Sequence, residues 1–181
     1  MKKRRLLAFA AAFATAAALL AGCASAPTPA DYSTEKPVLD LKAYFNGPMV
    51  AHGLFTDRSG KVVRRFTVQM TGSWNGNQGV LDERFTYSDG KTERRVWKLT
   101  DEGNGRWSGR ADDVVGVAEG RAAGNALNWR YTLNLPVDGK VYEVQFDDWM
   151  YLMDDKVMLN KAVMSKFGIY LGEVTLSFTK P

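Results

Sequence analysis

From Val38 onward the chain alternates apolar and polar side chains with period two, in short runs broken at close intervals by turn residues. Phe66, Val68 and Met70 alternate with Arg65, Thr67, Gln69 and Thr71, while Leu81, Phe85 and Tyr87 share a face with Glu83 and oppose Arg84 and Thr86. Trp129, Tyr131, Leu133 and Leu135 alternate with Asn128, Arg130, Thr132 and Asn134. Tyr142, Val144 and Phe146 alternate with Glu143, Gln145 and Asp147, and Val174, Leu176 and Phe178 oppose Thr175, Ser177 and Thr179. Each run turns one face to a core and the other to water, as a half-buried strand does. The breaks at Asp57-Arg58-Ser59-Gly60, Asn75-Gly76, Ser88-Asp89-Gly90, Gly103-Asn104-Gly105 and Pro136-Val137-Asp138-Gly139 supply residues that tolerate positive φ. Successive strands are therefore expected to be antiparallel hairpin neighbours.

About eight to ten such strands exceed what a flat sheet holds comfortably, so the pattern predicts an all-β, up-and-down meander closed into a barrel without exposed edges. Two segments fit less well. Ala111 to Gly124, with Gly116, Gly120 and Gly124, reads as short bent strands or as a loop over the barrel mouth. Val157 to Phe167 has some helical spacing, but Ser165-Lys166-Phe167-Gly168 ahead of the final strand favours a hairpin.

The first 22 residues follow a different rule. Lys2, Lys3, Arg4 and Arg5 precede an apolar stretch from Leu6 to Leu20, and Leu20-Ala21-Gly22-Cys23 closes it: a secretory signal with the look of a lipobox. On that resemblance residues 1–22 are cleaved and Cys23 becomes the acylated first residue, because several acyl chains together give durable membrane anchoring where one does not. Residues 23–37, rich in Pro, Ser, Thr and Ala, read as a flexible tether, and 38–181 as the barrel domain. Ala24 and Ser25, with no Asp after the cysteine, resemble lipoproteins sorted to the periplasmic face of the outer membrane. The inner membrane is the less favoured address.

Composition supports one globular domain: 45% of 181 residues are hydrophobic and 12% aromatic, with a single Cys and a single His. The net charge of +4 arises from the signal, since removing it leaves basic and acidic residues equal at 20 each. A neutral mature protein has no bulk electrostatic reason to bind nucleic acid. With Cys23 consumed, no thiol remains for a disulfide.

Candidate chemistry is thin. His52 has Asp57 as its nearest acidic neighbour but no nucleophile motif, and a hydrolase-like site would have to bring it together with Asp147 or Asp148. Asp147, Asp148, Asp154 and Asp155 offer oxygen ligands without an EF-hand loop, and solvated strand ends explain them better. If Asp148 is buried, it requires a partner such as Arg84 or Arg130. Met150, Met153, Met158 and Met164 suit adaptable packing or a cavity lining rather than a copper site. Gly103 to Gly109 has the wrong spacing for a nucleotide loop. No cofactor is implied. Trp74, Trp97, Trp107, Trp129 and Trp149 either fill the barrel or leave room for one apolar ligand. Arg84, Arg94, Arg95 and Arg130, near aromatics, either hold an anionic head group or face water.

Phe45-Asn46-Gly47, Ala51-His52-Gly53, Glu83-Arg84-Phe85 with Tyr87-Ser88-Asp89-Gly90, Gly124-Asn125-Ala126 with Trp129, Asp147-Asp148-Trp149-Met150, and Asn160-Lys161 with Lys166-Phe167-Gly168 resemble a family of bacterial lipoproteins, domain of unknown function 3833. The resemblance covers the mature domain and implies a lipocalin-like (calycin-like) barrel, but no catalytic residues. The function expected is a lipid-anchored envelope protein that binds a fatty acyl or other lipid ligand without turnover, with Arg84, Trp97, Trp129, Arg130, Asp148 and Trp149 as the ligand-binding candidates. The alternative is a scaffolding lipoprotein with a filled barrel and an envelope protein as partner.

Overall fold

The computed structural model describes residues 26–181 except Asp138. Cys23, the expected signal and the start of the expected tether lie outside the described residues. Among those described, ten strands follow one another: β1 (Gly47–Asp57), β2 (Val62–Asn75), β3 (Gln78–Tyr87), β4 (Thr92–Gly103), β5 (Arg106–Arg110), β6 (Ala118–Ala123), β7 (Ala126–Val137), β8 (Lys140–Leu152), β9 (Val157–Lys166) and β10 (Ile169–Thr179). Each pairs antiparallel with the next, and β1 pairs with β10 to close the barrel, with Val50 opposite Thr179 and Asp57 opposite Gly172. The period-two runs become its walls. Val68, Met70, Leu81, Trp129, Leu133, Val144, Phe146 and Phe178 are buried inside, whereas their sequence neighbours on the other face are more exposed, with the exception of a few covered by the N-terminal segment.

Both segments of mixed pattern resolve into strand. Val157–Lys166 is β9, and its link to β10 is the two-residue turn Phe167-Gly168, with φ of 52° and 75°. Positive φ at both central positions is what a tight hairpin of matching twist demands. Within 111–124, β6 forms from Ala118 to Ala123, preceded by a loop held by a bridge between Val114 and Leu133. Because β5 and β6 are short, this loop completes the wall between β4 and β7 at that end of the barrel.

One end is plugged. Helix α1 (Leu41–Tyr44) begins at Asp40, whose carboxylate accepts from Ala43 N–H at 3.0 Å, and it buries Leu41 and Tyr44 beside Phe45. The Tyr44 hydroxyl donates to the Lys156 carbonyl at 3.0 Å, and Lys180 Nζ donates to the carbonyls of Ala43, Tyr44 and Asn46 at 2.9–3.0 Å. The plug fits because β2 has no side chain at Gly72, where a Cβ would fall 1.6 Å from the Phe45 carbonyl oxygen.

Part of the segment expected as a flexible tether, 23–37, lies on the barrel wall. Pro29–Tyr32 forms a 3-10 turn against β6 and β7, Tyr32 packs edge-on to Tyr151, and Leu39 N–H donates to the Gly124 carbonyl at 2.8 Å. Aromatic stacking and these backbone bonds hold the segment on the outer wall at the plugged end.

Candidate ligand cavity

Inside the barrel lies a cavity of about 460 Å³, within the range of small-molecule sites. Leu41 and Phe45 form its floor. Its middle is aromatic: Trp97 and Trp129 meet edge to face at 5.7 Å, Trp97 meets Tyr131 at 5.5 Å, and Tyr131 stacks on Phe146 at 4.8 Å. Trp129 can lie along the inner wall only because its neighbours across β5 and β6 are glycines. A Cβ at Gly109 would come within 2.7 Å of the indole, and one at Gly120 within 2.4 Å. Ala162, Met150, Met164, Val174 and Leu176 complete an apolar lining.

A compact polar group interrupts this lining. Glu83 on β3 stands opposite Arg95 on β4, at 3.8 Å. Arg95 also donates to both oxygens of Asp113 in the β5–β6 loop, at 2.9 and 3.2 Å. Asp148 on β8 points into the same cavity, accepts from Asn160 Nδ2, and has Tyr131 as a further neighbour on β7. Burial lifts the Glu83 carboxyl to about 7, against the pull of Arg95, and burial likewise lifts Asp148 to about 7, against its bond from Asn160. Burial opposes the charge on Arg95, but Glu83 and Asp113 outweigh it and raise its pKa. At the mouth, Arg64 lies 3.5 Å over the Tyr87 ring and is held by both oxygens of Asp89 at 3.0 Å, while the Tyr87 hydroxyl donates to Glu93 at 2.8 Å.

The residues expected from sequence to bind a ligand divide into two sets. Trp97, Trp129 and Asp148 line the cavity. Arg84, Arg130 and Trp149 do not: they occupy the alternate, outward positions of β3, β7 and β8. Arg84 is 68% exposed beside Asp82, Arg130 is 61% exposed and pairs with Asp147 at 3.3 Å, and Trp149 packs on Tyr32 and Tyr151. The partner of Asp148 is accordingly Asn160 rather than an arginine. His52 is exposed on the outer face of β1, so the barrel wall separates it from Asp148; Asp147 is on the outside as well, bonded by Asn128 at 2.6 Å. The hydrolase-like arrangement is not formed. Among the described residues no three His, Cys, Asp or Glu side chains are placed to hold a metal ion. Met150 and Met164 line the cavity, Met158 is fully buried and Met153 is exposed.

The open end is bordered by hairpins with exposed apolar side chains, Val137, Val141, Tyr142, Phe167, Ile169 and Tyr170, of which Phe167 is 86% exposed.

The model of one family, described as Protein of unknown function (DUF3833), matches residues 17–180. The chain belongs to the DUF3833 family. No curated protein matches this DUF3833 chain. Among solved structures, the S-type phycobiliprotein lyase CPES from Guillardia theta is similar with a TM-score of 0.59 at 5% identity, covering 86% of this chain and 98% of the lyase. A protein of unknown function from the DUF3598 family of Nostoc punctiforme is similar with a TM-score of 0.49 at 11% identity, over 81% of this chain and 51% of its own. At such identities the likeness to the lyase shows the fold alone, a lipocalin-like barrel.

Proposed function

We propose that this DUF3833 protein is a lipid-anchored envelope protein whose barrel binds one apolar or amphiphilic molecule, a fatty acyl or lipid species, without chemical turnover. The observation that carries the reading is the cavity of about 460 Å³, walled by aromatic and aliphatic side chains and closed below by Leu41 and Phe45. Burying hydrocarbon there contributes about 0.8 kcal/mol per CH₂, enough for a medium-length chain to bind with useful affinity. The lipid anchor would be Cys23. Because the described chain lies on the barrel from Pro29, only residues 23–28 span from anchor to wall, about 20 Å at full extension. The plugged end would then face the anchoring bilayer, at the periplasmic face of the outer membrane, and the mouth would face away.

Native mass spectrometry of the chain from Ala26 onward, incubated with the lipid extract of its own cells and repurified, tests the binding reading. One retained hydrophobic molecule per barrel supports it, and empty protein at every lipid concentration contradicts it. Fractionation of cells carrying Cys23→Ser tests the anchor: release from the membrane fraction is expected. The apolar rim at the mouth favours a second element, an envelope protein that delivers or receives the ligand there. In-cell crosslinking from position 167 would identify it.

A further inference from the structure

The polar group on the cavity wall says what kind of head the ligand carries. Among the described residues two cationic side chains line the cavity, and each is already in an ion pair: Arg95 with Asp113 and Glu83, and Arg64, at the mouth, with Asp89 through one terminal nitrogen, its Nε–H left unbonded. Three carboxylates line it as well, Glu83, Glu93 and Asp148. Glu93 accepts the Tyr87 hydroxyl and Glu83 shares Arg95, but Asp148 is bonded only by the neutral amide of Asn160 and forms no ion pair, Arg95 acting on it from beyond contact distance. Asp148 is also fully inside, at 6% exposure, with Trp129 and Ala162 as its cross-strand neighbours.

A free fatty acid would bring a fourth carboxylate among these and, beyond Arg64 at the mouth, would meet no unpaired cation among the described residues. Buried charge is tolerated only when paired, so its head would have to stay protonated or remain at the mouth in water. A protonated amine meets the opposite situation. Its three N–H donors match the acceptor oxygens of Asp148 and Glu83, and its charge offsets an acidic excess that the protein itself leaves uncompensated. The rings of Trp97, Trp129 and Tyr131 line the same cavity, and aromatic lining attracts a cation more than an anion.

Resting on the ligand-binding reading above, we infer that the barrel selects amphiphiles whose polar end is a protonated amine, placed against Asp148 and Glu83, over those ending in a carboxylate. An amine head replaces the anionic one expected near Arg84, Arg94, Arg95 and Arg130, of which Arg84, Arg94 and Arg130 face water and Arg95 is paired with Glu83 and Asp113.

The test is competition at pH 8 between the fluorescent probe N-phenyl-1-naphthylamine and a matched set: dodecylamine, 1-dodecanol and dodecanoate. The chain from Ala26, which contains every element of the barrel, serves as receptor. Dodecylamine is expected to displace the probe at a concentration about tenfold or more below that of dodecanoate, as one buried, paired charge requires. Asp148→Asn and Glu83→Gln are each expected to shrink that gap and to weaken displacement by dodecylamine more than displacement by 1-dodecanol, since the neutral alcohol lacks the charge. Probe binding by each variant confirms that its barrel is intact. Dodecanoate equal to or better than dodecylamine, or a gap unchanged in both variants, overturns the amine assignment while the ligand-binding reading stands. Failure of the probe and of all three competitors to bind overturns both.

Discussion

Replacing Asp148 by Asn changes the stability of the barrel in a pH-dependent way whose sign is fixed by the structure. Asp148 has an ordinary carboxyl pKa of 3.8, raised to about 7 by burial. Below pH 4 the folded and unfolded chains both carry its proton, and the residue contributes no pH dependence. Between pH 4 and 7 the unfolded chain loses the proton while the folded one keeps it, so rising pH favours unfolding. Above 7 both are ionised and the cost is constant. Three units at 1.36 kcal/mol each make that cost about 4 kcal/mol. Glu83, raised from 4.5 to about 7 for the same first reason, adds a second such cost over the same window, and its charge and that of Asp148 oppose one another. The amide of Asp148→Asn keeps an oxygen for Asn160 Nδ2 but never ionises. The variant should match wild type near pH 4 and exceed it at pH 8 by ~2–4 kcal/mol, or roughly 5–15 °C in Tm for a chain of this size. Urea unfolding of the chain from Ala26 at unit steps from pH 4 to 8, followed by circular dichroism, measures it. Parallel curves for the two proteins, or a variant less stable at pH 8, would refute the reasoning.

Gly120→Ala places a methyl group against the Trp129 ring and is expected to cost ~1–3 kcal/mol in urea unfolding, with a weaker probe-binding signal as the indole is displaced. Gly72→Ala meets the Phe45 backbone rather than a movable side chain, so a loss at the upper end of the same ~1–3 kcal/mol range is expected, with faster proteolysis before Asn46 as the plug loosens. Arg84→Ala and Arg130→Ala remove outward ion pairs and are expected to change stability by less than ~1 kcal/mol and probe affinity not at all; a tenfold loss of affinity in either would contradict their placement.

The alternation of apolar and polar residues made the barrel legible, because a strand with one wet face must show period two, and the turn residues marked its corners. The same alternation places Arg84 opposite Leu81 and Phe85, and Arg130 opposite Trp129 and Tyr131, which is where the structure has them. Expecting them to touch a ligand gave residue type more weight than strand parity. Parity also carries the signal for Glu83, a cavity residue outside the expected set that shares the face of Leu81, Phe85 and Tyr87, and it singles out Arg95, two positions from Trp97, as the one of the four arginines weighed for a head group that turns inward. Their association with Asp113 and Asp148 was not legible, because it joins β3, β4, the β5–β6 loop and β8 through barrel closure. The attachment of Pro29–Tyr32 to the wall was hidden likewise, since a Pro- and Ser-rich segment with one tyrosine reads as tether until Tyr151 is seen beside Tyr32.

Titration of the chain from Ala26 with N-phenyl-1-naphthylamine, read by energy transfer from the cavity tryptophans, tests the hollow barrel most directly when Ala162→Phe is measured alongside wild type. Ala162 is buried on the cavity wall opposite Asp148 and Val174, so a phenyl ring there occupies ligand space. Saturable binding of one probe per wild-type barrel, weakened about tenfold or more in a variant that still unfolds cooperatively, is the predicted result. No saturable signal in wild type, or equal affinity in the two proteins, would contradict a ligand site inside the barrel.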